Sequence, residues 1–328
     1  NTSGFENVAI GIECLKQNTW GYGNVAIGIK ALSASTSGGS NIAIGLSALT
    51  NNTGNVNIAI GDNTLGQNTT GDHNVAIGDG GLGGNEVGKD NVAIGSLSYY
   101  GNKAGSKGVA IGTGAMRYAN NTTTAFDNKN VAIGFEALKG STTPANNTGN
   151  NNTALGYQTL TINTSGSNNL AFGTEALSQN TTGSSNIAIG NSTLSGNTSG
   201  SNNIVIGNNA NVNTVNGSNQ LSINNVIYGT GMNSTITSKI GINASAPSAK
   251  LQINPSNAST PAVDDGIIIP RVNTFPILNP NAAQNGMMIF LATVNPGYPI
   301  GFYYWDNPST SWKGVGANTA NAWGLNGN

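Results

Sequence analysis

The chain has 328 residues, of which only 8% are charged, and its 12 basic and 13 acidic side chains give a net charge of −1. Nucleic acid is a poor partner, because no basic stripe is available to follow a phosphate backbone. With 37% hydrophobic residues and little charge, the chain is also unlike a disordered tail. One cysteine, Cys14, and one histidine, His73, exclude an intrachain disulfide and argue against a metal site made from these ligands. We therefore predict no metal and no cofactor.

The first motif along the chain is Gly21-x-Gly23-x-x-Ala26, which can mark a dinucleotide-binding loop between a strand and a helix. The two glycines lie in a variable turn, however, and Ala26 belongs to the pentad N-[V/I]-A-[I/L]-G, which recurs along the chain. No segment long enough for a crossover helix follows. The motif is therefore one copy of a repeat and does not indicate a nucleotide site.

The pentad or a close variant occurs twelve times, with a degenerate thirteenth copy near Asn219, mostly at intervals of 17 residues. Within it, apolar residues alternate with Asn, Ala and Gly, which is the period of a β-strand. We expect a second short strand to carry the leucine of each unit, such as Leu15 and Leu32, and "NTTG" or "NTSG" to form a turn. Seventeen residues are too few for a strand–helix–strand crossover, which needs about 30. The sequence therefore predicts an all-β fold, a parallel β-solenoid of 12–13 coils.

Equivalent residues of stacked coils lie above one another, so the first Asn of each unit should form a ladder of hydrogen-bonded amides. We expect the Val and Ile columns, which begin at Val8 and Ile10, to fill the thin interior. The Ala column should then lie on the opposite face of the strand, where it permits close approach of another surface. So thin an interior favours association of rods side by side. The predicted ladder consists of Asn7, Asn24, Asn41, Asn57, Asn74, Asn91, Asn130, Asn152, Asn169, Asn186 and Asn203.

The N-[V/I]-A-I-G repeat over residues 7–219 resembles the β-roll heads of YadA-type trimeric adhesins. The longer unit, with "AL" and "NTTG", also resembles repeats of phage-type tail fibres, including those of bacteroidete type. The resemblance implies a parallel homotrimer on a cell surface, outside the cell, or on a virion or injection-system tail. It also implies a glycan or protein receptor on a host surface and contacts with further fibre or baseplate segments. No membrane insertion is expected of this segment.

Two consecutive units are extended to 22 residues in their turn halves, and insertions in solenoids often mark the binding face. Arg117, Tyr118 and Phe126 lie in or beside the first insertion, and Tyr99 and Tyr100 come one unit earlier. These five residues are candidates for receptor contact. The alternatives are a tolerated loop whose aromatic side chains pack on the rod, and a contact between chains.

The acids and hydroxyls do not form a recognisable catalytic set. Asp264 and Asp265 are the one adjacent pair of acids in the sequence, and the motif G-x-S-x-G is absent. His73 lies in a turn without an evident catalytic partner. Asp62 and Asp79 are 17 residues apart and could stack, but solvated turn acids explain them as well as Ca²⁺ ligands do. We predict no enzyme and no catalytic residues. The alternatives are a purely structural filament and a tail-spike-like glycan hydrolase, which needs two carboxyls about 5–9.5 Å apart.

We divide the chain into a repeat rod at 1–219, a capping and neck connector at 220–254, and a small C-terminal β-domain at 255–328. The connector and the "GFYYWD…SW" element both resemble parts of the same tail-fibre proteins. The chain opens in mid-repeat, so we expect a segment of a longer polypeptide. Aromatic residues of the last domain could form a carbohydrate platform, or instead pack within its core or between chains. They are Tyr298, Tyr303, Tyr304, Trp305 and Trp312.

Overall fold

The computed structural model describes residues 3–232, 238–256, 259, 267–276 and 278–315. The chain divides into two compact units, Asn1–Asn254 and Pro255–Asn328. Apart from two short 3-10 helices, Pro144–Asn146 and Ala282–Gln284, the regular elements of the described residues are all β-strands. Asp264 and Asp265 lie outside the described residues. The predicted all-β class is confirmed.

The first unit is built on a sheet of 16 strands, of which the first 13 run parallel in sequence order. Each parallel strand is three residues long and pairs in register with the next copy, as Val8 does with Val25. This confirms the predicted parallel β-solenoid. We number the coils 1–13 from the first residue of each pentad, so coil 1 begins at Asn7 and coil 13 at Gln220. The 13 strands are Val8–Ile10, Val25–Ile27, Ile42–Ile44, Ile58–Ile60, Val75–Ile77, Val92–Ile94, Val109–Ile111, Val131–Ile133, Thr153–Leu155, Leu170–Phe172, Ile187–Ile189, Ile204–Ile206 and Leu221–Ile223.

The solenoid sheet does not stop at coil 13. Ile227–Thr230 adds to it antiparallel, Lys239–Ile242 follows antiparallel, and Leu251–Ile253 ends the sheet with a parallel pairing. These longer, mixed pairings cover the edge that the last short coil strand would otherwise present to another chain.

The interior of the coils consists of Ala and Leu columns, and our expectation that Val and Ile fill it was wrong. Ala26 and Leu32 are completely buried, and the same holds along most of both columns. Val25 and Ile27, on either side of Ala26 in the strand, are partly exposed. Because successive side chains of a strand point to opposite faces, a strand that buries Ala26 must turn Val25 and Ile27 outward. The opposite side of the coil lies close to the strand, because a Cβ built on Gly81 in the return segment of coil 5 would lie 3.8 Å from the Ala76 methyl group.

The leucine of each coil does not lie on a second strand, which is a further correction. The return segment, coil positions 6–12 after the strand, is a run of tight turns with left-handed backbone angles. Leu32 has φ 51° and Leu49 has φ 52°. Such an angle costs about 1–2 kcal/mol for a residue with a side chain, and burial of the leucine offsets it by about 1.5–3 kcal/mol. The coils are still joined here, because the Leu32 amide donates to the Ala48 carbonyl over 3.0 Å.

The glycine that ends the pentad in coils 1–12 turns the chain into the return segment. Gly28 has φ +127°, and a Cβ built on it would lie 2.6 Å from the carbonyl oxygen of Gly45 in the next coil. Both the angle and the lack of space exclude any side chain. The short distance between stacked coils therefore requires glycine at the last position of the pentad.

The second unit contains a sheet of four strands in sequence order. The first two strands are parallel and the other pairings are antiparallel. One face of this sheet packs a small core of Ile289, Leu291, Tyr303, Trp305 and Trp312. The four strands are Arg271–Val272, Met288–Leu291, Gly301–Asp306 and Ser311–Gly314.

Candidate functional site

The first asparagine of each pentad takes part in a ladder that uses its whole amide. The side-chain oxygen of Asn24 accepts from both the backbone and the side-chain nitrogen of Asn41, each over 3.0 Å. The Asn41 side chain also donates to the Gly54 carbonyl over 3.0 Å, and it is completely buried. Coil 7 has Gly108 at this position, where only its backbone amide reaches the Asn91 oxygen, over 2.9 Å. Such a ladder holds coils together and offers no free group to a ligand.

A second asparagine ladder runs along the first residue of the "NTTG" turn. Asn68 donates from its side chain to the Asn52 oxygen over 2.6 Å and accepts from the Asn85 side chain over 2.7 Å. Sequence reasoning assigned this asparagine to turn chemistry alone, although its recurrence every 17 residues was a visible signal. Asn68 and Asn180, which open Asn-x-Thr sequons, are both completely buried. In the folded coil they are therefore not accessible to a glycosylating enzyme.

Tyr99, a predicted receptor contact, lies inside the solenoid. It occupies the leucine column of coil 6 with φ 52° and is completely buried. A Cβ on Gly108 would lie 2.5 Å from Tyr99 Cε1, so the ring takes the space that a ladder asparagine would need. Burial raises the pKa of the hydroxyl, which has no hydrogen-bond partner among the described residues. Tyr99 therefore offers no surface to a receptor.

Tyr100, Arg117 and Tyr118 lie together on the outer side of the return segments. Tyr100 is 45% exposed, and Arg117 occupies the equivalent position in the next coil. The Arg117 guanidinium carbon lies 5.3 Å from the centroid of the Tyr118 ring, close enough for a cation–π contact. Phe126 is separate from them, in a two-residue strand, Phe126–Asp127, that pairs with Gly105–Ser106. The structure thus brings together three of the five predicted residues.

The two insertions contact each other through Asn147. Its side-chain nitrogen donates to the carbonyl oxygens of Tyr118 in coil 7 and Ser141 in coil 8, and its oxygen accepts from the Ser141 amide. A cavity of about 20 Å³ remains beside it, enough for roughly one water molecule. The insertions are thus ordered by one buried amide and do not enclose a ligand-sized pocket.

Acidic side chains of the solenoid form hydrogen bonds and ion pairs within the solenoid itself. The largest influence on the pKa of Asp72 is burial, which raises it. Hydrogen bonds from Lys89 and the Asn55 amide outweigh this influence and hold the pKa below its ordinary value. The hydrogen bond from Lys139 lowers the pKa of Glu136. Within the described ranges, no three His, Cys, Asp or Glu side chains are grouped so that they could hold a metal ion.

The outward face of the solenoid strands is a long row of apolar side chains. Thirteen strands with two outward positions each give 26 side chains, of which all except Thr153 are aliphatic or aromatic. They are partly exposed throughout, with Ile77 at 36% and Phe172 at 51%. Beside them, the stacked rings of Phe135 and Tyr157 lie 5.3 Å apart. An apolar surface of this kind marks an interaction site.

The aromatic residues of the second unit are divided between its core and its surface. Tyr303, Trp305 and Trp312 are buried, so they do not provide a carbohydrate platform within this unit. Tyr298 is 36% exposed, but its ring packs against Phe275 with 4.9 Å between centroids. Tyr304 lies on the outer face of the sheet and is 38% exposed. Its neighbours on that face include Met288, its partner across the strands.

No helix in the described part of the chain has the length and apolar character to cross a membrane. Searches of the curated proteins and of the solved structures found no match to the chain. Residues 239–323 match the family described as "Phage tail like trimerisation region". The matched segment covers the end of the connector and most of the C-terminal unit, and the YadA-like resemblance of the repeats has no specific match. Residues 239–323 are thus similar to a trimerisation region of phage tail-like proteins, which confirms the predicted resemblance to phage-type tail fibres.

Proposed function

We propose that this chain is a structural segment of a trimeric, phage-type tail fibre that attaches to a cell surface. The carrying observation is the continuous apolar face on the solenoid, in a chain whose C-terminal residues match a trimerisation region. Such a fibre operates outside the cell, on a virion or an injection-system tail. Its partners are two further copies of the chain, a host-surface glycan or protein, and adjoining fibre or baseplate segments.

The apolar face suits association between copies, because it continues along 13 strands and is two side chains wide. Removing apolar surface from water contributes about 25 cal/mol per Å², and nearly every outward side chain of the 13 strands adds to this area. Three parallel copies that turn these faces toward a common axis would enclose the Val and Ile columns in a shared core. The Ala column, which we expected at the contact, instead lets the two sides of each coil pack together.

The C-terminal unit supports the same association within the segment that matches the trimerisation family. Ile267 and Ile268 are 62% and 86% exposed, and Phe302 is 46% exposed. With Arg271 and Phe290 they line a cavity of about 170 Å³, where the Arg271 guanidinium carbon lies 5.2 Å from the Phe290 ring centroid. Large aliphatic and aromatic groups left in water within one copy are suited to burial between copies.

The attachment role is supported by the outer side of the return segments. Tyr100, Arg117 and Tyr118 lie there, away from the strands that carry the apolar face. Aromatic and arginine side chains are enriched at protein-binding surfaces. In a trimer joined through its strands, this side remains accessible to a receptor.

The mass in solution tests the trimer. Light scattering of the purified chain should give three times 33.1 kDa, about 99 kDa, independent of concentration in the micromolar range. A strict monomer would exclude the proposed function. Polymers that grow end to end would favour the filament alternative.

Labelled trimer applied to bacterial cells and to immobilised surface glycans tests attachment. We expect saturable binding and recovery of the glycans at unchanged mass. Shortened glycans would favour the hydrolase, and an intact trimer that binds neither kind of probe would leave a structural role alone.

A further inference from the structure

The return segments of coils 3–6 carry an open groove of about 490 Å³. Its lining includes Asn51, Asn63, Gln67, Asp79 and Tyr100. The strands that carry the Val and Ile columns lie on the other side of the Ala and Leu interior. The groove is therefore accessible in a single copy and in a trimer assembled through the strands.

The groove exists because coil 5 has the sequence "GDGGLGGN". Gly80 and Gly83 leave both outward positions of this return segment bare, where coil 3 has Ser47 and Thr50. Gly83 does not have a left-handed φ, so its backbone does not require glycine. A Cβ built there would lie 2.9 Å from Tyr100 Cε2. The absent side chain lets the Tyr100 ring lie against the coil and form one wall of the groove.

The polar groups of the groove contrast with those of the ladders. The side chains of Asn51, Asn63, Gln67 and Asp79 are all exposed, and no described residue makes a hydrogen bond with them. Two neighbouring coils supply the three amides, and coils are about 4.8 Å apart. Coils 3–5 thus present planar donor and acceptor groups, and coil 6 adds the half-exposed Tyr100 ring, so the groove spans about 14 Å.

We infer that this groove binds a short, neutral oligosaccharide, with one sugar ring against Tyr100 and its hydroxyls bonded to the amides and Asp79. A sugar hydroxyl both donates and accepts, as a side-chain amide does, and the apolar side of a sugar ring packs on an aromatic face. The lining contains no Lys or Arg to favour an acidic glycan or a phosphate, and Arg117, one coil beyond Tyr100, is not part of it and lies over the Tyr118 ring. Its single carboxylate supports binding, since glycoside hydrolysis requires two.

This inference deepens the proposed attachment role and rests on it for its biological meaning.

The test uses the intact chain on an array of neutral, sialylated and sulfated oligosaccharides, followed by titration calorimetry with the neutral oligosaccharide that binds best. Two variants address the groove. Tyr100→Ala removes the ring, and Gly83→Ala displaces it. Trp20→Ala is the matched control, because Trp20 is 69% exposed in the turn of coil 1 and belongs neither to the groove lining nor to the outward strand face. Circular dichroism and light scattering establish that each variant keeps its fold and mass.

We expect binding to neutral probes, a loss of affinity of about tenfold or more in both groove variants, and none in the control. Binding to neutral probes that both groove variants retain would overturn the groove and leave attachment standing. Binding to acidic probes alone would overturn the ligand class. The absence of binding to every oligosaccharide would overturn the inference. Continued binding of the same trimer to cells would then preserve attachment through a protein receptor.

Discussion

At the scale of single residues, the ring of Tyr99 occupies space that an asparagine side chain holds in most neighbouring coils. Its partner is Gly108, the one glycine that opens a pentad, and the two residues fit only as a pair. The pair interrupts the first ladder and leaves the tyrosine hydroxyl buried without a hydrogen bond among the described residues. At the ladder position of coil 7, packing of the Tyr99 ring against Gly108 therefore replaces the side-chain amide that other coils have there.

In a double-mutant cycle, the effects of substitutions at Tyr99 and Gly108 on the free energy of unfolding should be strongly coupled. Gly108→Asn alone should be destabilising, because the new side chain would overlap the ring. The same change in a Tyr99→Leu background should be tolerated, because it restores both the leucine column and the ladder. Tyr99→Phe should be stabilising by about 1–3 kcal/mol, the cost of an unsatisfied buried polar group. Thermal unfolding of the wild type, Gly108→Asn, Tyr99→Leu, the double variant and Tyr99→Phe measures these effects. Additive changes in the double variant would contradict the packing described here.

At the scale of the coil, the periodic sequence was sufficient to predict the parallel strands and their in-register stacking. It did not reveal which face of the strand is inside, because Val8-Ala9-Ile10 alternates equally well with either face buried. The deciding quantity is the small distance between the two sides of the coil, which is not visible in strand periodicity. The return segment escaped prediction for a related reason. Leucines such as Leu32 adopt left-handed angles against their intrinsic preference, and only the stacked coils stabilise them.

The second ladder predicts a local effect that hydrogen exchange can measure. Asn68→Ala would remove the hydrogen bonds that the Asn68 side chain makes with the Asn52 oxygen, the Asn85 side-chain nitrogen and the Gly71 carbonyl. Each of these groups keeps a second hydrogen bond, to Asn57 or to the Gly88 carbonyl. Three buried hydrogen bonds of about 0.5–1.5 kcal/mol each are nevertheless lost, so amide protection in coils 3–5 should fall at least about tenfold. Thr70→Ala, a control at an exposed turn residue of the same coil, should leave protection unchanged. Equal protection in both variants would mean that the ladder does not hold the coils together.

At the scale of the whole molecule, the main question is how the outward face of the strands is protected from water. One coil buries little more than an Ala and a Leu inside itself, and its largest apolar side chains lie outside. Under the proposed association through the strand face, folding of one chain and association of several are parts of the same process. The mixed strands after coil 13 close one end of the sheet, but they do not cover its face.

Charge placed on that face distinguishes a buried interface from a solvated surface. Leu170→Lys combined with Phe172→Lys should be nearly neutral in a monomer, because these side chains are already 38% and 51% exposed. In a trimer the lysines of three copies would meet in an apolar core, where unpaired charges are strongly unfavourable. We therefore expect a fall in the unfolding temperature well beyond the roughly 2–4 °C that corresponds to 1 kcal/mol. Gln179→Lys combined with Thr182→Lys adds the same charge to exposed positions of the same coil and should have little effect. If both pairs lower the temperature equally, the strand face is not the contact between copies, and the C-terminal unit must provide the association by itself.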